Sequence, residues 1–209
     1  SLCSGIFQEI FSGNNLDDRA LFESKIIIDL SSIGSSETKA MLMGMLLIRL
    51  QEYRLRVGSM NRPLQHITVL EEAHHLLRKT SFAQSNEGAN LMGRSVEMLT
   101  SAIAEMRSAG EGFVIVDQSP GLLDEAVLRN TNTKLIMRLP EGGDRDIVSR
   151  TMGLDEAQSF ELSRLKTGIC AVYQQNWMGA VLCQVDRAEH QAQAYRPDLS
   201  NDQVEASKA

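Results

Sequence analysis

Little in this sequence is able to chelate a metal or staple a fold. Three cysteines, Cys3, Cys170 and Cys183, are spread over 209 residues with no CxxC pair among them. No thiolate site of the usual spacing closes, and a reducing compartment is implied. HExxH is absent. Glu71-Glu72-Ala73-His74-His75 holds two histidines but no correctly spaced further one, so three-ligand zinc geometry is not assembled from what is visible. No apolar run approaches the ~18–20 residues of a membrane span. No basic stretch followed by an apolar one opens the chain. The expectation is therefore no membrane, with the cytoplasm as the default compartment. GxxxxGK[ST] occurs nowhere. Its nearest match, Gly34-Ser35-Ser36-Glu37-Thr38-Lys39, lacks the closing Gly-Lys-Ser/Thr and reads as a helix start capped by Ser35 or Ser36. No internal repeat or low-complexity segment is found.

What is present fits one domain, or one domain plus a small addition, for 209 residues. A hydrophobic content of 43% is ordinary for a globular chain with a real core. The net charge of -6 excludes a protein whose whole surface binds nucleic acid, although a local basic loop does not show in that sum. The chain opens on Ser1-Leu2-Cys3 without an initiator methionine, and it is read as continuing upstream.

Short apolar runs alternate with longer periodic stretches. Residues 4–12 and 17–24 read as lead-in segments, helical or irregular. Lys25–Leu30 is a β-branched run suited to a strand covered on both faces. A long helix follows over 37–56, its Met-rich stretch from Met41 to Met45 being core packing. Further strands are expected at 66–70, 113–117 and 134–139. Helices are expected at 72–78, 89–108, 121–129, 143–151 and 155–163, and two β segments at about 168–174 and 178–185 surround Asn176-Trp177. Residues 80–88 read as a mobile polar loop, and the chain from 188 onward as disordered. Alternating strands and helices imply βαβ units, a mostly parallel sheet and right-handed crossovers. Ligands then bind at the edge where the strand C-terminal ends gather. Asp29, Glu71-Glu72 and Gln118 stand at three such ends.

A strand that ends in two acids is unusual, because a buried carboxylate costs desolvation energy unless it meets a cation. In phosphoryl transfer one acid holds Mg²⁺ and a second orients the attacking water. Glu71 and Glu72 fit that division, and equally fit a helix N-terminus, where acids favour the dipole. Gln118 fits either a γ-phosphate contact or a loop-capping amide. Arg78, Lys79 and Arg94 flank the polar loop, as DNA-phosphate contacts in a ring motor or as solvated surface charges.

The order of these motifs carries a resemblance. Ile67-Thr68-Val69-Leu70-Glu71-Glu72-Ala73-His74 resembles the Walker B segment of the HerA-like branch of the HerA/FtsK P-loop ATPases. Arg107-Ser-Ala-Gly110, followed by the apolar run that ends in Gln118-Ser-Pro120, resembles that family's next strand. Ile28-Asp29-Leu30-Ser31, Asn130 to Lys134 and Leu165-Lys166-Thr167-Gly168 match in order and spacing, so that about residues 25–185 are covered.

The resemblance implies an α/β, RecA-like partial core: lead-in residues 1–24, the later part of the ATPase domain over 25–187 with a C-terminal β-hairpin, and a tail at 188–209. It implies ATP and Mg²⁺, with Glu71 at the Mg²⁺ position through water, Glu72 polarising the lytic water and Gln118 sensing the γ-phosphate. Arg107 is the charge-stabilising arginine, acting in its own subunit or across a boundary, or else a helix C-terminal cation. A ring-forming DNA translocase or helicase follows, hexameric, with a partner nuclease among its possible associates. A conjugation or secretion ATPase of the same superfamily, or a non-catalytic module with this fold, are the alternatives. The phosphate-cradling loop is expected upstream of Ser1, so that this chain alone binds ATP poorly or not at all.

Overall fold

The computed structural model describes residues 17–58, 61–79 and 87–187, the side chains of 87–95 excepted. The readings at 4–12 and from 188 onward lie outside the described residues, as do residues 80–86 of the loop expected over 80–88, whose last two residues, Glu87 and Gly88, are instead helical.

Helix α1 (Asp18–Glu23) starts at an Asp17 cap. Helix α2 (Ser36–Val57) starts at Ser35, whose hydroxyl accepts from the Thr38 amide at 3.3 Å. Glu37 in its first turn and Arg54 and Arg56 in its last suit the helix dipole. Leu47, Leu50, Tyr53 and Arg54 form its buried stripe. Leu47, Leu50 and Tyr53 pack with Leu21 and Phe22 of α1 and with Leu76 and Leu77 in one core.

Strands β1 (His66–Glu71) and β2 (Glu111–Val116) pair in parallel. Helix α3 (Glu87–Met106) and a 3-10 turn at Arg107–Ala109 lie between them in sequence, the expected βαβ unit. Leu70, Phe113 and Ile115 face the core with Met106, Leu123 and Val127. The opposite face carries Ile67, Val69, Val114 and Val116, 42–56% exposed. The corner into β2 needs Gly110: its φ is +85°, and an added Cβ would stand 2.7 Å from the Pro63 carbonyl oxygen.

A buried ionic cluster ties the start of this sheet to the helices. The Glu111 carboxylate accepts from Arg54 Nε at 2.7 Å and Thr68 Oγ1 at 2.6 Å, and His66 Nδ1 lies at 2.8 Å. Arg54 Nη2 also donates to the Phe22 carbonyl at 2.6 Å. This cluster explains one departure from expectation. Gly110-Glu111-Gly112 reads as a break, yet the strand begins at Glu111, because a buried carboxylate must stay with its donors.

Two other expectations are corrected. Lys25–Leu30 has no regular secondary structure and joins no ladder among the described residues. Ile26, Ile27 and Ile28 are all exposed, so the run lacks both the backbone partner and the covering faces that define a strand. Residues 72–78 are not a regular helix either. Glu72 is left-handed, a 3-10 turn spans Ala73–His75, and Arg78 bridges to Leu123. Buried Leu76 and Leu77 and the Leu77–Asp124 and Lys79–Leu122 backbone bonds, at 2.9 and 2.8 Å, pull this segment out of helical register.

The second half holds α4 (Glu125–Asn130), β3 (Thr133–Ile136), α5 (Gly142–Met152), α6 (Glu156–Glu161), β4 (Ile169–Gln174) and β5 (Val181–Gln184). Asp155 and Gln158 close a capping box on α6. Strands β3, β4 and β5 form an antiparallel sheet, the last two being the expected hairpin. Its own core gathers Leu139, Val148, Met152, Leu162, Leu165 and Ala171. The sheet is therefore not mostly parallel among the described residues: one parallel pair stands beside a three-stranded antiparallel sheet. The hairpin also places Cys170 directly across from Cys183, both thiols free. No described helix is long and apolar enough to cross a membrane.

Candidate functional site

Parallel pairing sets the C-terminal ends of β1 and β2 side by side, with Glu71 opposite Val116 as the last pair. Glu72 follows one strand, and Asp117 and Gln118 follow the other. Glu72 has φ 49° and ψ 47°, a left-handed conformation that costs a non-glycine residue roughly 1–2 kcal/mol. That turn swings its carboxylate across to β2, where Gln118 Nε2 donates to Glu72 Oε1 at 3.0 Å.

Beneath that bond lies a second one. Asp117 Oδ2 accepts from the His74 amide at 2.8 Å and lies 2.9 Å from His74 Nδ1. Its Oδ1 accepts from the Ser119 amide at 2.8 Å. The Asp117 side chain is 3% exposed, and three donors are what a buried carboxylate requires. The hydrogen-bond network assigns the His74 proton to Nδ1, facing Asp117. His74 Nδ1 also lies 3.5 Å from Glu72 Oε2, and its ring leans on that of His75 with centroids 4.5 Å apart.

The donor atoms of Glu72, His74 and Asp117 lie within 4.8 Å of one another, close enough for a metal ion. Asp117 and His74 already satisfy each other by hydrogen bonds while Glu72 accepts from Gln118, and a cation there would displace the His74 ring proton from Asp117.

The structure sorts the residues singled out in the sequence. Glu72 and Gln118 meet. Glu71 does not join them: it points to the exposed face with Ile67 and Val69 and makes no hydrogen bond or ion pair among the described residues. Arg107 stands before β2 and Gln118 after it. The six-residue strand between them spans on the order of 20 Å. Asp29 turns on itself, accepting from the Ser31 amide at 2.8 Å, and that bond holds its carboxyl below the usual range. Lys79 pairs with Glu125 at 3.6 Å, Arg78 is exposed, and the Arg94 side chain lies outside the described residues. The sequence reading missed Asp117 and its bond to His74. The available signal was an acid immediately before Gln118, at a strand end facing the Glu-Glu-Ala-His corner.

No family model matches the chain. The DNA double-strand break repair helicase HerA of Sulfolobus acidocaldarius is 29% identical over 137 residues, 65% of this chain and 26% of its own length. The HerA of Sulfurisphaera tokodaii is 29% identical over 134 residues, covering 64% of this chain and 25% of that protein. The chain thus spans about a quarter of the length of the curated relatives it matches.

Among solved structures it is similar to the genome packaging NTPase B204 of Sulfolobus turreted icosahedral virus 2. The complex with ATP-gammaS gives a TM-score of 0.56 at 12% identity, over 86% of this chain and 76% of that one. The sulfate complex gives 0.57 at 12% identity, over 91% and 80%. The chain has an α/β fold like that of these NTPases. In sequence the chain is similar to the two HerA helicases over about two thirds of its length, and in fold to the packaging NTPase.

Proposed function

We propose that this chain is the later part of a RecA-like ATPase core, from a DNA translocase or helicase of HerA type. The observation that carries this reading is the Gln118–Glu72 hydrogen bond, 3.0 Å long, across the C-terminal ends of two parallel strands. Ligands of open α/β sheets bind at that edge. Glu72 is solvent-accessible, its side chain 44% exposed, so a water can reach its carboxylate. Glu72 orients the attacking water, and Gln118 exchanges its bond to Glu72 for one to the γ-phosphate or to that water.

Glu71 offers an exposed carboxylate one residue earlier, without a partner among the described residues. A hard oxygen donor in that position fits Mg²⁺, which keeps several waters and takes few protein ligands. The cation, when bound with ATP, neutralises phosphate charge. The phosphate-cradling loop is not among these residues, and we place it upstream. Arg107, at the far end of β2 from Gln118, serves a neighbouring subunit in this scheme, which calls for a ring. DNA, a hexameric assembly, a partner nuclease and a cytoplasmic setting are parts of the same proposal.

The test is ATP hydrolysis by a longer polypeptide that includes the phosphate loop, with and without DNA, beside a Glu72→Gln variant. Loss of turnover in the variant supports the assignment. Turnover equal to that of the unsubstituted protein sinks it.

A further inference from the structure

The Glu72 turn needs an explanation beyond its own contacts. A left-handed non-glycine residue persists only where its surroundings over-determine it. Glu72 is half exposed and forms no side-chain cap on the turn that follows. Its one close side-chain hydrogen bond goes to Gln118, which is itself exposed. Two exposed side chains do not hold each other in one geometry against water and rotamer freedom.

Asp117 supplies what they lack. Its two oxygens serve different strands. Oδ2 takes the amide and ring N–H of His74, two residues beyond Glu72, and so anchors the end of β1. Oδ1 takes the Ser119 amide, one residue beyond Gln118, and so fixes the path by which Gln118 leaves β2. Each partner of the Glu72–Gln118 bond is thus tied to one oxygen of the same buried carboxylate. From this geometry we infer that Asp117 and His74 form a positioning clamp that keeps Glu72 in its left-handed turn and within reach of Gln118. Neither residue of the clamp touches the reacting atoms. The inference deepens the proposed function and rests on it for its catalytic consequence, but its structural part stands on the chain alone.

The test reads the Gln118 side-chain amide by NMR in the 209-residue chain, assigned by comparison with Gln118→Ala. In the unsubstituted chain the amide protons are expected to be shifted from free-glutamine values and slowed in exchange. His74→Phe removes the ring donor, and Asp117→Asn leaves one of the three donors unmatched. Both are expected to return the amide to free-glutamine shifts, with exchange roughly tenfold faster, the loss of one hydrogen bond. His74→Asn places an amide N–H where Nδ1 stood and is expected to keep the native signature.

Circular dichroism and a cooperative melt verify that each variant folds. Should Asp117→Asn fail to fold, the His74 pair decides. An unchanged Gln118 amide in folded His74→Phe overturns the clamp, even if the melting temperature falls. In the longer ATP-hydrolysing polypeptide, His74→Phe is expected to lower kcat with KM unchanged, and His74→Asn to restore it. A native amide signature in a protein without ATPase activity would sink the proposed function and leave the clamp supported.

Discussion

Gln118 donates to Glu72 at 3.0 Å, although the two residues stand 46 positions apart in the chain and just past the ends of different strands. Parallel pairing of β1 with β2 brings them together, and a left-handed turn at Glu72 closes the remaining distance. An amide and a carboxylate in contact at a strand edge make a compact unit for holding a water, with both side chains open to solvent.

In the proposed reading the chain holds the carboxylate side of such a site, and its sequence contains no GxxxxGK[ST]. Backbone amides and the lysine of that loop supply most of the grip on a triphosphate. Calorimetric titration of the 209-residue chain with Mg-ATP should therefore show no saturable binding up to about millimolar concentration, the weak end of the affinity scale. Binding in the micromolar range would contradict this division of the site.

Arg107 and Gln118 lie at opposite ends of β2, so the proposed function has Arg107 contribute to hydrolysis from a neighbouring subunit. In the longer polypeptide, Arg107→Ala and Glu72→Gln should each be inactive alone. Mixed, they should recover measurable ATPase, because an intact Glu72 can then face an intact Arg107 from another subunit. Removal of such an arginine costs about 10³–10⁵ in turnover, a wide margin in which to see recovery. No recovery on mixing, with mixed oligomers verified, would exclude action in trans.

The Arg54–Glu111 pair is buried and shared with His66 and Thr68. Removing one partner of a buried ion pair leaves the other uncompensated and costs about 3–5 kcal/mol. Glu111→Ala should lower unfolding stability by that amount in urea titration. Arg54 and Glu111 replaced together by apolar residues should lose less than the sum of the single changes. Additive losses would show that the pair is not coupled.

Asp18 accepts from Arg56 at 2.7 Å and Arg49 at 2.6 Å, linking α1 to α2. The Arg56 and Arg49 hydrogen bonds hold its carboxyl below the ordinary value of 3.8. A depressed folded-state pKa gives a contribution that is full above the unfolded value and vanishes as pH falls through the folded one. Asp18→Asn should therefore lower the melting temperature at pH 7 and converge on the parent protein in strong acid. A constant difference across that range would locate the effect elsewhere.

Much of this was legible in the sequence, for reasons that particular residues show. Ser35 caps α2, and the β1–α3–β2 unit follows from two apolar runs separated by a long periodic stretch. Glu72 and Gln118 were legible because both follow apolar strands and topology fixes where strand ends go. Asp117 was not, since its importance lies in two oxygens reaching two strands, a relation no local pattern encodes. Lys25–Leu30 misled because β-branched composition reports suitability for a strand and not the presence of a partner. Glu111 misled in the opposite direction: two flanking glycines suggest a break, while its burial among Arg54, His66 and Thr68 arises from residues 43 to 57 positions away.

The most direct measurement is single-turnover hydrolysis of pre-bound ATP in the longer polypeptide, compared with Glu72→Gln. The account predicts that the variant binds nucleotide as the parent does, while the chemical step slows by about 10²–10⁴, the usual worth of a positioned general base. Hydrolysis at the parent rate with nucleotide fully bound would contradict it.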